Sequence, residues 1–286
     1  LMDQRGRVTS HLSGILFRTT NFIEKGIRPV YVFDGSPPAF KQETIEERRT
    51  ARKQAQAKWE EALERGEVAE AYKQARSASR VDEQVISTAK TLIHLLGIPT
   101  VEAPSEGEAQ AAAMVCRGDA RYVVSQDYDT LLFGAPLLVR NLTISGKRKL
   151  HGRSISVSPE RIVLSELLKG LGLTRDDLIR IGILIGTDFN TGIKGIGAKT
   201  ALKIIRNGDF ETTIKEKLQG IDSEPIFDFF RQPPVTTEYT LSWGEPDHDG
   251  IMKMLCNEYD FAPDRVEKAL AGMQVKKGQK TLDAWF

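Results

Sequence analysis

Across residues 9–26 the chain places Leu12, Ile15, Leu16, Thr19, Phe22 and Ile23 so that each apolar position recurs three or four residues further on. That spacing predicts an amphipathic helix packed by one face, with Gly26 as its stop. Residues 29–33 then form a short apolar run of the kind that makes a buried strand. It delivers Asp34 at its carboxyl end, just before Gly35 and the Pro37-Pro38 pair that ends regular structure. Residues 82–96 repeat the helical pattern through Val85, Ile86, Ala89, Leu92, Ile93 and Leu96 and return to a short strand around residues 98–101. Strand, helix and strand in that order predict a βαβ unit, and hence an α/β fold.

Further along, the apolar run 121–125 predicts a strand that ends in Gln-Asp-Tyr-Asp, with a helix entering at Thr130. Strand-like runs at 137–140, 142–145 and 154–157, broken by Gly146 and Gly152, predict an edge meander. Ser158-Pro159 has the form of a helix start, closed by the Gly-rich end near Leu173, and residues 176–185 predict a second helix. A third covers residues 198–206, and a last one runs near residues 264–273.

Residues 41–80 break this rhythm. They are largely Lys, Arg, Glu, Gln and Ala, with Trp59, Leu63, Val68 and Tyr72 as the larger apolar residues. So narrow an apolar stripe on strong helix formers predicts exposed helices outside the main core, either a solvated face or a helical arch over a site. In the second case Lys41, Arg48, Arg49 and Arg52 are placed to face a phosphate.

Charge narrows the partners. The 286 residues carry 40 basic against 39 acidic side chains, so a nucleic-acid role has to rest on local patches. Cys116 and Cys256 lie far apart, and His11, His94, His151 and His248 lack ligand spacing, which argues against a disulfide framework or a zinc site and for an intracellular protein. No run is long and apolar enough to cross a membrane, and no signal peptide is visible. The polar opening after Leu1 and Met2 reads like the interior of a longer chain.

The candidate chemistry lies in carboxylates. Glu106 and Glu108 open a helix, Asp127 and Asp129 follow a strand tip, and Asp34 and Asp188 occupy comparable ends. Each has an ordinary alternative: Ser105 and Glu108 form a capping-box pattern, Glu106 suits a first helical turn, and the aspartates suit turns or caps. Taken together in one crevice, six such groups repel unless cations or protons neutralise them. Oxygen ligands without His or Cys favour magnesium or manganese, and two such ions about 4 Å apart suit phosphodiester hydrolysis. The run from Gly192 through Lys194, Gly195 and Gly197 to Lys199 and Thr200, with Lys203 beyond, offers backbone amides and charge to a duplex phosphate at a helix start. At the other end Gln279, Leu282, Trp285 and Phe286 stand on a polar tail, and an aromatic pair of that kind suits a partner's pocket.

The motifs Val-Tyr-Val-Phe-Asp-Gly, Ala-Pro-Ser-Glu-Gly-Glu-Ala-Gln-Ala-Ala, Ser-Gln-Asp-Tyr-Asp-Thr-Leu-Leu-Phe and Gly-Thr-Asp-Phe-Asn-Thr-Gly-Ile-Lys-Gly-Ile-Gly resemble those of the flap endonucleases, structure-specific 5′ nucleases of archaea and eukaryotes. The resemblance spans essentially the whole chain. It implies a PIN-like α/β nuclease core with a mixed, mostly parallel central sheet over residues 1–260, an arch at 41–80 and a helix-two-turn-helix at 159–215. It implies further that residues 261–286 carry a last helix and a tail that docks on the sliding clamp (PCNA). By the same resemblance Asp34, Glu106 and Glu108 mainly serve one magnesium ion and Asp127, Asp129 and Asp188 the other, with manganese able to substitute. Lys41 and Arg48 match positions that engage the scissile phosphate. Gly192, Lys194, Gly195, Gly197 and Lys199 match the duplex-binding loop with its potassium ion. Gln279, Leu282, Trp285 and Phe286 match the clamp motif. A single chain acting on 5′ flap DNA in replication and repair, with 5′ exonuclease activity, is implied, of archaeal rather than eukaryotic style. The family also opens with a strand carrying a further metal-binding aspartate, which falls upstream of Leu1.

Two other readings compete. Val-Phe-Asp-Gly resembles the nucleophile loop of aspartate-based phosphatases, but Ser36 stands where a second aspartate is required. A clamp-tethered DNA-binding scaffold uses only the glycine loop and the tail and leaves the acid pairs idle.

Overall fold

The computed structural model describes residues 2–41, 83–142, 146–150, 153–217 and 222–273, with scattered positions between 46 and 65, and for 143–156 beyond Leu142 only the backbone of the strands. Arg48, most of the predicted arch and the tail residues Gln279, Leu282, Trp285 and Phe286 lie outside the described residues. The chain divides into two compact units, Leu1–Phe33 with Arg80–Glu102 and Thr237–Phe286, and Asp34–Ser79 with Ala103–Thr236.

The first unit holds α1 (Ser10–Glu24), β1 (Tyr31–Phe33), α2 (Glu83–Leu95) and β2 (Thr100–Glu102). Leu12 and Leu16 of α1 and Leu92 and Ile93 of α2 are fully buried against each other. Each contributes about 1.5–3 kcal/mol by leaving water, which is why the periodicity of both helices was readable. β1 and β2 pair in parallel with Val32 opposite Val101, as a βαβ crossover requires.

The second unit holds α3 (Gly107–Arg117), β3 (Val123–Val124), α4 (Asp129–Leu132), β4 (Leu137–Arg140), a hairpin of β5 (Gly146–Leu150) and β6 (Arg153–Val157), and β7 (Glu160–Val163). Then come α5 (Leu164–Leu171), α6 (Arg175–Ile185), α7 (Ala198–Asn207), α8 (Phe210–Lys217) and α9 (Ser223–Arg231). β4 lies between β3, its parallel neighbour, and β7, its antiparallel one. The fold is therefore α/β with parallel and antiparallel pairing, carried among the described residues by short ladders.

Three local expectations are corrected. Ser158-Pro159 does not open a helix: residues 160–163 pair antiparallel with β4, Ile162 opposite Leu138 and Val163 opposite Leu137, and the helix starts at Leu164. β-branched residues filling a sheet edge outweigh a local helix-start signal. Gly146 starts a strand instead of breaking one. In place of an edge meander, β4 is the middle of its sheet and β5–β6 form a separate hairpin. The first unit closes with α10 (His248–Met252), a π-helical turn Lys253–Glu258 and α11 (Pro263–Ala271).

Candidate metal and nucleic-acid sites

β1 ends immediately before Asp34, and the close approach of two backbones then decides where its carboxylate goes. Gly35 donates its N–H to the Ser105 carbonyl at 2.6 Å. A Cβ at position 35 would stand 2.1 Å from the Ala103 oxygen, so only glycine lets these strands of chain meet. Asp34 Oδ1 then accepts the Gly107 N–H at 2.6 Å and caps α3 from seventy-odd positions away in sequence.

The capping box weighed as the ordinary alternative for Ser105 and Glu108 is absent. Helix α3 has Glu106 as its N-cap with no side-chain cap bond, and the buried Ser105 hydroxyl has no hydrogen-bond partner. Glu108 is thereby free to face the β3 tip, where it accepts the Ser125 hydroxyl at 2.6 Å. The same Ser125 oxygen accepts the Asp127 N–H at 3.1 Å. Ser125 was not singled out from sequence, although a hydroxyl two residues before a strand-tip carboxylate is a usable signal.

Past β3 the chain alternates direction. Tyr128 turns outward, half exposed beneath the Arg140 guanidinium at 3.9 Å, while Asp129 starts α4. Asp188 follows α6 and donates its backbone N–H to the Asp129 carboxylate. Lys41 closes the group: its Nζ donates to both Glu106 oxygens at 2.8 Å and stands 3.9 Å from Asp188 Oδ2. The side chains of Lys41 and Glu106 are only 13% and 14% exposed, so the pair is a desolvated one whose partners depend on each other.

Lys41 thus links Glu106 to Asp188, Asp188 neighbours Asp129, and Ser125 joins Glu108 to Asp127, all in the second unit, while Asp34 is tied to this group through the Gly107 N–H. Among the described residues no three of these side chains converge on a single point closely enough to enclose an ion. Excess negative charge is nonetheless evident. Burial pushes Glu108 up to about 7, opposed by the Ser125 hydroxyl and helped by the Asp127 and Asp129 charges. Burial also pushes Asp129 up to about 6, helped by Asp188 and Asp127 and opposed by the Asp188 N–H and Lys41. One lysine does not neutralise this cluster. Its all-oxygen donor set fits hard divalent cations.

These shifts fix the sign of a pH effect. Both carboxyls are raised above their unfolded values of 4.5 and 3.8, so the folded chain holds more protons than the unfolded one between those values and about 7. Their contribution to stability is full at low pH and is lost as pH rises through 6 and 7. With divalent ions chelated, the unfolding midpoint is predicted to fall by roughly 5 °C between pH 5 and pH 8. Calorimetry showing a flat or rising midpoint would contradict the buried, crowded state of these groups.

The glycine loop forms a second feature of the same unit. Gly192 and Gly195 adopt φ of +68° and +88°, and the Ile193 N–H returns to the Leu184 carbonyl at 2.9 Å. Ile193 and Ile196 pin the loop by packing with Leu184 and Ala201. Gly197 caps α7 without a side-chain bond, and Lys194, Lys199 and Lys203 are exposed around it. Open amides at a helix start with lysines beside them suit a phosphate.

Known proteins match this arrangement. Residues 97–188 match the XPG I-region and residues 2–55 the XPG N-terminal domain. The chain is 65% identical to Flap endonuclease 1 of Methanoregula boonei and 62% identical to that of Methanoculleus marisnigri, in each case over all of this chain and 86% of the relative. It superimposes on flap endonuclease-1 from Methanococcus jannaschii with a TM-score of 0.73 at 41% identity, covering 96% of this chain and 83% of that one.

Proposed function

We propose, on the premise that this chain belongs to the flap endonuclease family of structure-specific 5′ nucleases, that its carboxylate cluster and Lys41 form the hydrolytic centre. Family members are divalent-metal-dependent hydrolases that act on branched DNA bearing a 5′ flap, in replication and repair. In our assignment Asp34, Glu106 and Glu108 hold one magnesium ion and Asp127, Asp129 and Asp188 the other, with manganese as a substitute. Ions so held lower the pKa of a water and offset charge on the leaving oxygen.

The chain's own residues prepare that chemistry. Ser125 orients Glu108 and the Asp127 backbone together, and the Asp188 N–H orients Asp129. Lys41, with Arg48, meets the scissile phosphate; its present bonds to Glu106 keep it in place and desolvated until the phosphate competes for it. Gly192, Lys194, Gly195, Gly197 and Lys199 hold the duplex backbone, with a potassium ion in the turn. This contact is independent of base sequence. The observation that carries the reading is the crowding of Glu108 and Asp129, which no purely DNA-binding surface explains, since such carboxylates repel DNA.

Gln279, Leu282, Trp285 and Phe286 dock on the sliding clamp, while residues 1–260 act as a single-chain nuclease. A genomic substrate places the protein where the genome is, and among the described residues no helix is long and apolar enough to cross a membrane. Phe286→Ala is predicted to weaken clamp affinity about tenfold or more and to leave clamp-free flap cleavage unchanged. Surface plasmon resonance with unchanged clamp affinity would sink that assignment.

The test of the proposed centre is cleavage of a labelled duplex with a 5′ single-stranded flap. Cutting near the junction in magnesium and none in chelator is expected. Cutting that persists in chelator overturns the metal assignment.

A further inference from the structure

Helix α9 carries an aromatic residue at the rim of the second unit's core, where it meets the buried Phe133 ring at 5.9 Å and reaches beyond it. Ile226 and Phe230 are 1% and 0% exposed and face the interior, one helical turn apart. Phe229 lies about a hundred degrees round from Phe230. It stays partly exposed beside an open cavity of about 350 Å³ that it lines with Phe40, Pro225 and Asp228. Its ring meets Phe40 at 5.4 Å and 80° and Phe189 at 5.1 Å and 73°, while Phe40 and Phe189 meet each other at 5.6 Å and 83°. These two rings are the chain neighbours of Lys41 and Asp188, and the Lys41 ammonium stands 5.2 Å from the Phe189 centroid.

Edge-to-face contacts fix angles as well as area. Phe189 is also met by Phe133 at 6.5 Å and by Phe230 at 5.1 Å, whereas the ring pairs of Phe40 among the described residues are those with Phe189 and Phe229, so the Phe229 ring bears directly on the chain neighbour of Lys41. We infer that Phe229 is a positioning residue for the Lys41 ammonium, acting through Phe40 and Phe189. The inference rests on the assignment of Lys41 to the scissile phosphate.

Single-turnover cleavage of the flap duplex by the full chain tests it, with Phe229→Ala and Lys41→Ala combined in a double-mutant cycle. Phe229→Ala is expected to slow cleavage on the order of tenfold, with flap affinity within about twofold. In the Lys41→Ala background the same change should cost nothing further, because the group it positions is gone. Equal losses in both backgrounds, or none in the first, overturn the inference and leave the role of Lys41 intact. An unchanged rate for Lys41→Ala alone instead removes that role, and the inference with it. Phe229→Tyr, which restores the ring, should return the rate to within about twofold. Should Phe229→Ala fail to fold, Phe229→Leu keeps apolar bulk without the ring edge, and the cycle is read in the same way.

Discussion

Asp129→Ala is expected to slow flap cleavage by roughly a thousandfold while leaving flap affinity within about threefold. Asp129 begins α4, accepts the Asp188 N–H and carries a carboxyl raised to about 6 by burial and by the charges of Asp188 and Asp127. It lies far from the glycine loop in role: removing it subtracts negative charge, so DNA has no electrostatic reason to leave. On the proposed assignment the chemistry loses a metal ligand, and the carboxyls beside it lose a like-charged neighbour. Single-turnover rates and fluorescence anisotropy on the same flap separate the two quantities. Parallel loss of both would mean that Asp129 shapes the binding surface and not the hydrolytic step.

Gly192→Ala is expected to destabilise the chain by about 3 kcal/mol or more and to reduce duplex affinity with it. A Cβ there would stand 2.2 Å from the Ile185 carbonyl oxygen and 2.5 Å from the Gly186 nitrogen, and its φ of +68° is unfavourable for any other residue. Neither obstacle is a flexible side-chain tip, so the loop has to move away from the end of α6. Gly197 provides the comparison. It has an ordinary φ of −102° and nothing within 4 Å of its would-be Cβ. Gly197→Ala should therefore keep wild-type stability, and any loss of duplex affinity reports crowding at the phosphate itself. Urea unfolding and salt-dependent duplex binding measure the two effects; wild-type stability for Gly192→Ala would contradict the tight turn.

Much of this was legible because the local signals and the tertiary fold agree. Leu12, Leu16, Leu92 and Ile93 mark helices by period and then fill one core, and Asp34, Asp127 and Asp129 follow apolar runs that do become strands. Where a long-range contact decides, local reading went astray. Ser105 and Glu108 have a capping box's spacing, yet Asp34 caps α3 from a distant part of the chain and Glu108 turns to Ser125. Ser158-Pro159 mimics a helix start, yet β4 supplies an edge that residues 160–163 fill. The pairing of Lys41 with Glu106 joins two regions no periodicity connects, and Phe229 gave no signal beyond an aromatic run in residues 227–230.

These corrections strengthen the chemical reading of the carboxylates. Once Asp34 takes over the cap, Glu108 is left to the Ser125 hydroxyl, and its burial beside Asp127 and Asp129 costs stability at neutral pH. The proposed cation site accounts for a chain that retains such a group.

The most direct test is to count manganese bound to the protein by electron paramagnetic resonance, for the unaltered chain and for Asp129→Ala, with flap DNA present. Two ions on the unaltered chain and fewer on the variant are predicted. An unaltered chain that binds none, or a variant that binds the same number with the same affinity, would contradict the assignment of this cluster as the metal centre.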